Sequence, residues 1–273
     1  MSALRGVFSA VLTPLTEDLR PDADVAIPYY RSLLDRGLDG LNVLGTTGEA
    51  MSLGLHDRLH FMEAIAKELP VDRCMVGTGA SALSDAAQLT RAALDLGFAA
   101  ALVIPPFYYR GADDDGIVAF YGALFERVKP PARSILLYNF PRMSGYTFHP
   151  ALLQRLIDAF GETIAGIKDS SNERQLEEHL AHSHPDLAIF PGSETLLGFA
   201  REVRLAGCIS GSVCLWPELA KRAWEGDDRA SVPQLASNRV ALGEPLIARV
   251  RERVAEEQDN PAWMRSIPPL GTP

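Results

Sequence analysis

A chain of 273 residues, 47% hydrophobic and 22% charged, has the length and apolar content of one large α/β domain and none of the polar bias of a disordered segment. Its formal net charge of −9 argues against nucleic acid or an anionic membrane as a partner. A small anionic substrate would need a local positive group.

The first six residues carry no charged-then-apolar targeting pattern, and no apolar run approaches the ~18 residues of a membrane span, so a cytoplasmic protein is expected. Cys74, Cys208 and Cys214 have the spacing of neither a disulfide framework nor a zinc ribbon and are expected in or near the core.

In chain order, apolar or β-branched runs at 7–13, 40–44, 74–77, 99–104, 134–138, 164–168, 187–191 and 207–211 read as strands, with amphipathic stretches between them. The runs are nearly continuous rather than alternating, as in a parallel sheet covered by helices. Eight strand-and-helix units predict a (β/α)8 TIM barrel, with a doubly wound sheet as the other arrangement. Two helical stripes are legible: Leu55, Leu59, Met62, Ala66 and Leu69, then Ala82, Ala86, Leu89, Ala93 and Leu96. Gly37, Gly97 and Gly161 each follow a helical stretch and suit a left-handed C-cap. Residues 1–216 carry the barrel through its eighth strand. Residues 217–273 are expected, within the same domain, to supply the last barrel helix at 218–225, a charged helical stretch at 239–257 interrupted by Gly243 and Pro245, and an extended Pro-rich end.

A barrel builds its site from the loops after the strands, and the unusual residues gather there. The sixth strand ends in Lys168. By itself a strand-end lysine reads as an ammonium leaning out to pair with Asp169, yet lysine is also the amine that forms Schiff bases with carbonyl substrates, and burial disfavours the charged form of an amine. The second strand ends in Gly45-Thr46-Thr47-Gly48-Glu49, a turn whose inward amides and two hydroxyls could hold a carboxylate without a formal charge. The fourth strand runs into Tyr108 and Tyr109, and the fifth ends in Tyr138-Asn139-Phe140-Pro141. Tyrosines at neighbouring strand ends suit the passage of protons to and from a carbinolamine.

Gly45-Thr46-Thr47-Gly48-Glu49, Tyr138-Asn139-Phe140-Pro141 and Gly166-Ile167-Lys168-Asp169, in this order and spacing, resemble the dihydrodipicolinate synthase / N-acetylneuraminate lyase superfamily of Schiff-base aldolases, over about 7–216. The resemblance implies a (β/α)8 barrel in which Lys168 forms an imine with the keto carbon of pyruvate or another 2-oxo acid. It implies Tyr138 as acid and base, Thr46 and Thr47 with Gly45 as the carboxylate site, and a proton relay from Tyr138 through Thr46 to Tyr108, donated by a neighbouring subunit. It further implies contacts to the distal part of the substrate from Gly192, Ser193 and Glu194 after the seventh strand and from Ile209 and Ser212 at the eighth. Glu194 reads equally as an acidic residue opening the next helix. No cofactor and no metal are called for, since an imine is itself the electron sink, and the family is usually tetrameric.

Two features depart from that pattern. The family's synthases carry an arginine five residues after the motif tyrosine, gripping the second substrate's carboxylate; here the position is Met143, with Arg142 one residue away. The region after the barrel is shorter than the family's usual one, which leaves a homodimer and a homotetramer both open. Asn139-Phe140-Pro141 followed by Ser144-Gly145 is more similar to the branch that cleaves 2-keto-3-deoxy sugar acids. The expected function is therefore a pyruvate-type lyase on such an acid; 4-hydroxy-tetrahydrodipicolinate synthase, or a dehydratase using the same imine, is the alternative. A catalytically silent barrel that binds a 2-oxo acid is the remote one.

Weaker signals are read structurally. His56 and His60 lie four apart on a helix without the glutamate of a metalloprotease motif, and His179, His182 and His184 close a helix and its loop. Asp113-Asp114-Asp115 reads as a solvated loop capping the helix that follows.

Overall fold

The computed structural model describes residues 4–226 and 230–271. The barrel elements are β1 (Gly6–Ala10), α1 (Ala23–Asp35), β2 (Gly40–Val43), α2 (Leu55–Glu68), β3 (Cys74–Gly77), α3 (Leu83–Asp95), β4 (Ala100–Val103), α4 (Asp114–Val128), β5 (Ile135–Asn139), α5 (Pro141–Ser144), α6 (Pro150–Phe160), β6 (Ile164–Asp169), α7 (Arg174–Ser183), β7 (Ala188–Pro191), α8 (Leu197–Glu202) and β8 (Gly207–Ser210). All strand pairs are parallel, in the order β7-β6-β5-β4-β3-β2-β1-β8. The remaining seam is drawn together just before β8, where the Ala206 N–H donates to the Ile189 carbonyl at 2.9 Å. This is the expected (β/α)8 barrel.

Side chains alternate across the barrel wall. Phe8, Ala10, Met75, Leu102, Leu136, Phe190 and Ile209 fill the interior. Val7, Leu41, Val43 and Val76 on one side, and Ala101, Val103, Ile135 and Leu137 on the other, face the helices. Both faces of each strand are covered, which is why the runs read as continuous.

The sixth strand breaks its own alternation, and this sets the site. Ile135 pairs with Ile164 but Leu136 pairs with Gly166, so Ala165 is an extra residue on β6. An uninterrupted strand starting with Ile164 against the helices would turn residue 168 outward as well. The inserted residue reverses the phase, and Lys168 pairs with the interior-facing Tyr138. Gly166 permits the irregularity, because a Cβ there would fall on the Ala188 carbonyl of β7.

Several expectations shift in detail. The first strand ends at Ala10, not at residue 13. On α2 the buried face is Arg58, Phe61, Met62 and Ile65, while Leu55, Leu59 and Ala66 form its half-buried flank. Arg58 is held inside by donating to the carbonyls of Gly79 (3.1 Å) and Gly77 (2.8 Å), and burial pulls its pKa down to about 10. Gly37 and Gly97 have φ of 98° and 86°, as left-handed caps do, but Gly161 is right-handed with φ −57°. Asp113 caps α4 by accepting from the Gly116 N–H (2.8 Å); Asp114 is not merely solvated, since Tyr146 and His149 both bond to it.

After β8 come α9 (Pro217–Glu225), α10 (Ser231–Leu242) and α11 (Leu246–Gln258). Gly243 and Pro245 separate the last two, so the charged stretch is two helices, the first beginning eight residues earlier than its charge pattern indicated. Among the described residues no helix is long and apolar enough to cross a membrane.

Candidate functional site

Lys168 and Tyr138 stand side by side at the ends of adjacent strands, both facing the barrel interior. Lys168 is 4% exposed, and its Nζ lies over the Tyr138 ring, 4.6 Å from the centroid. An ammonium over an aromatic face is attracted by the ring quadrupole, which helps keep this amine here with no carboxylate partner among the described residues. The bland expectation, an ammonium leaning out to Asp169, is not met: Asp169 faces the other side of the wall and is bonded to Asn139 and Ser171.

The Tyr138 hydroxyl is 3.3 Å from Thr46 Oγ1, on the loop after β2. That loop is held between two non-glycine residues in left-handed backbone, Leu44 (φ 53°) and Glu49 (φ 52°). Strain of this kind persists only where surroundings over-determine it. Glu49 supplies the determination: it is buried and accepts from Arg251 of α11 (2.6 Å) and from Ser266 Oγ (2.7 Å). Thr47 is buried with its side chain against Gly211 after β8. Gly45 sits over the Asn42 amide.

The distal candidates converge from β7 and β8. Glu194 is buried, and its two oxygens accept from Ser210 Oγ and from Ser212 Oγ, the latter at 2.7 Å. Each carboxylate oxygen has two lone-pair sites, so Glu194 keeps accepting capacity beyond the two serines. Ser193 turns its hydroxyl to its own backbone, capping the turn at Thr195, and Ile209 is part of the interior packing. Gly192 lies against Ser170, where a Cβ would meet its hydroxyl.

Tyr108 is not gathered with these groups. It is 73% exposed in the single chain, packed edge to face on Tyr109 with centroids 5.1 Å apart, and among the described residues no hydrogen bond joins it to Thr46. Met143 is 43% exposed on α5. The charge of Arg142 acts on Glu244, a carboxyl held below its usual range chiefly by the Leu246 N–H, then by Arg239, with Arg142 the smallest contributor.

Sequence reasoning passed over two groups. Asn42, on the interior face of β2, has neither amide atom partnered among the described residues and forms the floor under Gly45. Glu177 of α7 is buried beside Asp169. A polar residue inside an apolar strand was a visible signal for Asn42; Glu177 sits in an ordinary charged helical run and gave none. Among the described residues no three His, Cys, Asp or Glu side chains gather as a metal site.

Comparison with known proteins gives the family. The model of the dihydrodipicolinate synthetase family matches residues 3–237. An uncharacterized DapA-like lyase of Chloroflexus aurantiacus is 36% identical over 88% of this chain and 82% of its own length. An N-acetylneuraminate lyase of Rhizobium meliloti is 32% identical over 72% of this chain and 64% of its own. The crystal structure of dihydrodipicolinate synthase from Agrobacterium tumefaciens superposes with a TM-score of 0.87 at 32% identity, over 98% of this chain and 93% of that one. With its family model spanning most of the barrel and Lys168, Tyr138 and Thr46 meeting where that barrel opens, this chain belongs to the dihydrodipicolinate synthetase family of lyases and aldolases.

Proposed function

We propose that the protein is a Schiff-base lyase that cleaves a 2-keto-3-deoxy sugar acid to pyruvate and a hydroxyaldehyde. The observation that carries this reading is Lys168, a buried amine with no carboxylate partner among the described residues, against Tyr138, whose hydroxyl is within reach of Thr46. Neutral Lys168 adds to the keto carbon, and Tyr138 gives the proton that lets the carbinolamine lose water. The resulting iminium accepts the electron pair of the C3–C4 bond. As that bond breaks, the C4 hydroxyl gives up its proton to the Tyr138 phenolate and the aldehyde departs. The enamine then takes a proton at C3, and hydrolysis returns pyruvate and free Lys168. Thr46 orients the phenol, while Thr47 and the amides after Gly45 hold the carboxylate. Glu194 and Ser212 face the hydroxylated tail.

In the same reading the exposed Tyr108 completes the relay of a neighbouring copy, so the active species is a homo-oligomer, dimer or tetramer. Condensation with aspartate semialdehyde, the synthase reaction of several relatives, uses the same imine and is the alternative. Incubation with pyruvate and borohydride, followed by peptide mass spectrometry, tests the reading. One reduced pyruvyl group is expected at Lys168, with label and turnover both lost in Lys168→Ala. Label on another lysine, or none, removes it.

A further inference from the structure

The outer side of the barrel wall, directly behind Lys168 and Tyr138, holds a second polar pair. Tyr138 pairs with Lys168 toward the interior, and the next residues, Asn139 and Asp169, pair toward the helices. Asn139 Nδ2 donates to Asp169 Oδ1 at 2.5 Å and Ser171 Oγ to Asp169 Oδ2 at 2.7 Å. Asn139 Oδ1 accepts the Phe148 N–H at 3.1 Å, and its carbonyl accepts the Ser170 N–H at 2.8 Å. Asp169 thus laces the ends of β5 and β6 together one residue beyond the reacting pair.

Against it lies the Glu177 carboxyl of α7, buried, with no donor aimed at either oxygen among the described residues and the Asp169 carboxylate as its charged neighbour. Two carboxylates cannot face each other in such a place; one proton must lie between them. The charged groups acting on Glu177 are Asp169 from β6 and Arg174 from its own helix, whose guanidinium is drawn over the Phe199 ring of α8. Burial and then Asp169 push Glu177 up to about 8, and Arg174 only partly opposes them.

The geometry points to Glu177 as a positioning residue: the proton it shares with Asp169 keeps the β5 and β6 ends laced, and so holds Tyr138 and Lys168 in line. This rests on the Schiff-base reading of Lys168. When Glu177 ionises, two anions repel across the shared position, and Asp169 is pushed off Asn139 and Ser171. Glu177→Gln offers Asp169 a neutral N–H donor of the same shape at every pH, and Asp169→Asn removes the second charge.

Pyruvate-imine formation is followed by cyanoborohydride trapping from pH 6 to 9.5 in all three proteins. Relative to Glu177→Gln, the wild type is expected to lose up to about tenfold between pH 7 and pH 9, the fall in protonated fraction of a group titrating near 8. Asp169→Asn should remove that loss as Glu177→Gln does. Thermal unfolding without substrate is the second readout. The native state holds a proton that the unfolded chain releases, so between about pH 5 and pH 8 the wild type should lose stability relative to Glu177→Gln, the difference levelling off above. Superposable trapping profiles, or a melting difference that does not change with pH, overturn the assignment. Absence of label at Lys168 in every protein at every pH sinks the Schiff-base reading itself, and the assignment with it.

Discussion

Met143 stands at the position where the resemblance places a carboxylate-gripping arginine in the family's synthases, and Arg142 lies one residue before it on the same short helix. A charge-assisted fork to a carboxylate contributes roughly 1.5–3 kcal/mol, which converts to about 10–150-fold in kcat/KM. In the proposed reading aspartate semialdehyde would lack that grip on its amino acid head, whereas a hydroxyaldehyde would present hydroxyls to Glu194 and Ser212. Sugar-acid cleavage should therefore exceed condensation with aspartate semialdehyde, and Met143→Arg should raise the condensation by at least about tenfold. Coupled assays of pyruvate release and cyclic product, run on one preparation, decide it. Efficient condensation by the wild type would hand the role to another cation; Arg110, whose side chain lies along Gly145, is the one to remove next. The meeting of Lys168 with Tyr138 was legible because each stands at the end of an apolar run with a polar group that burial penalises unless it is paired. Glu177 was not, because a glutamate beside Leu176 on a polar helix looks like any solvated charge until the fold turns it toward Asp169.

The elements show the same division. Eight apolar runs were readable because both faces of every strand are covered, and the helices because their stripes repeat. The irregularity at Ala165 was not, since a single inserted residue leaves a short apolar run looking unbroken, although a glycine inside a strand was its one visible trace. That insertion decides which way Lys168 faces. Gly166→Ala would set a methyl group on the Ala188 carbonyl, and such overpacking costs about 1–3 kcal/mol. If β6 relieves the clash by giving up its extra residue, Lys168 turns toward the helices. We expect a lowered melting temperature together with loss of borohydride-trapped label out of proportion to the fraction unfolded. A destabilised variant that labels normally would mean that the strand end is aimed by something other than this irregularity.

At the scale of the whole molecule, the loop after β2 that bears Thr46 and Thr47 is fastened by Arg251 and Ser266. Arg251 of α11 bonds Glu49 at 2.6 Å with both side chains buried, and its other nitrogen donates to the carbonyls of Trp263 (2.9 Å) and Arg265 (2.6 Å). Ser266 closes the arrangement on the second Glu49 oxygen. The last helix and the segment after it therefore reach the loop bearing Thr46 and Thr47 through an ion pair and a hydrogen bond, both on Glu49. Replacing such a pair with apolar groups can be nearly neutral, but removing one partner strands a buried charge at about 3–5 kcal/mol. Arg251→Met should accordingly lower the melting temperature by roughly 10 °C, at about 2–4 °C per kcal/mol for a domain of this size. Adding Glu49→Gln should recover part of that loss, because the stranded charge is gone. Function should separate the two terms: with the loop free of its left-handed anchor at Glu49, the carboxylate site loosens, so the double variant should keep a raised KM for the 2-oxo acid even where its stability has returned. Stability and KM recovering together would reduce the ion pair to a fastening of the C-terminal helix alone; stability recovering while KM stays high would make the end of the chain part of the substrate site.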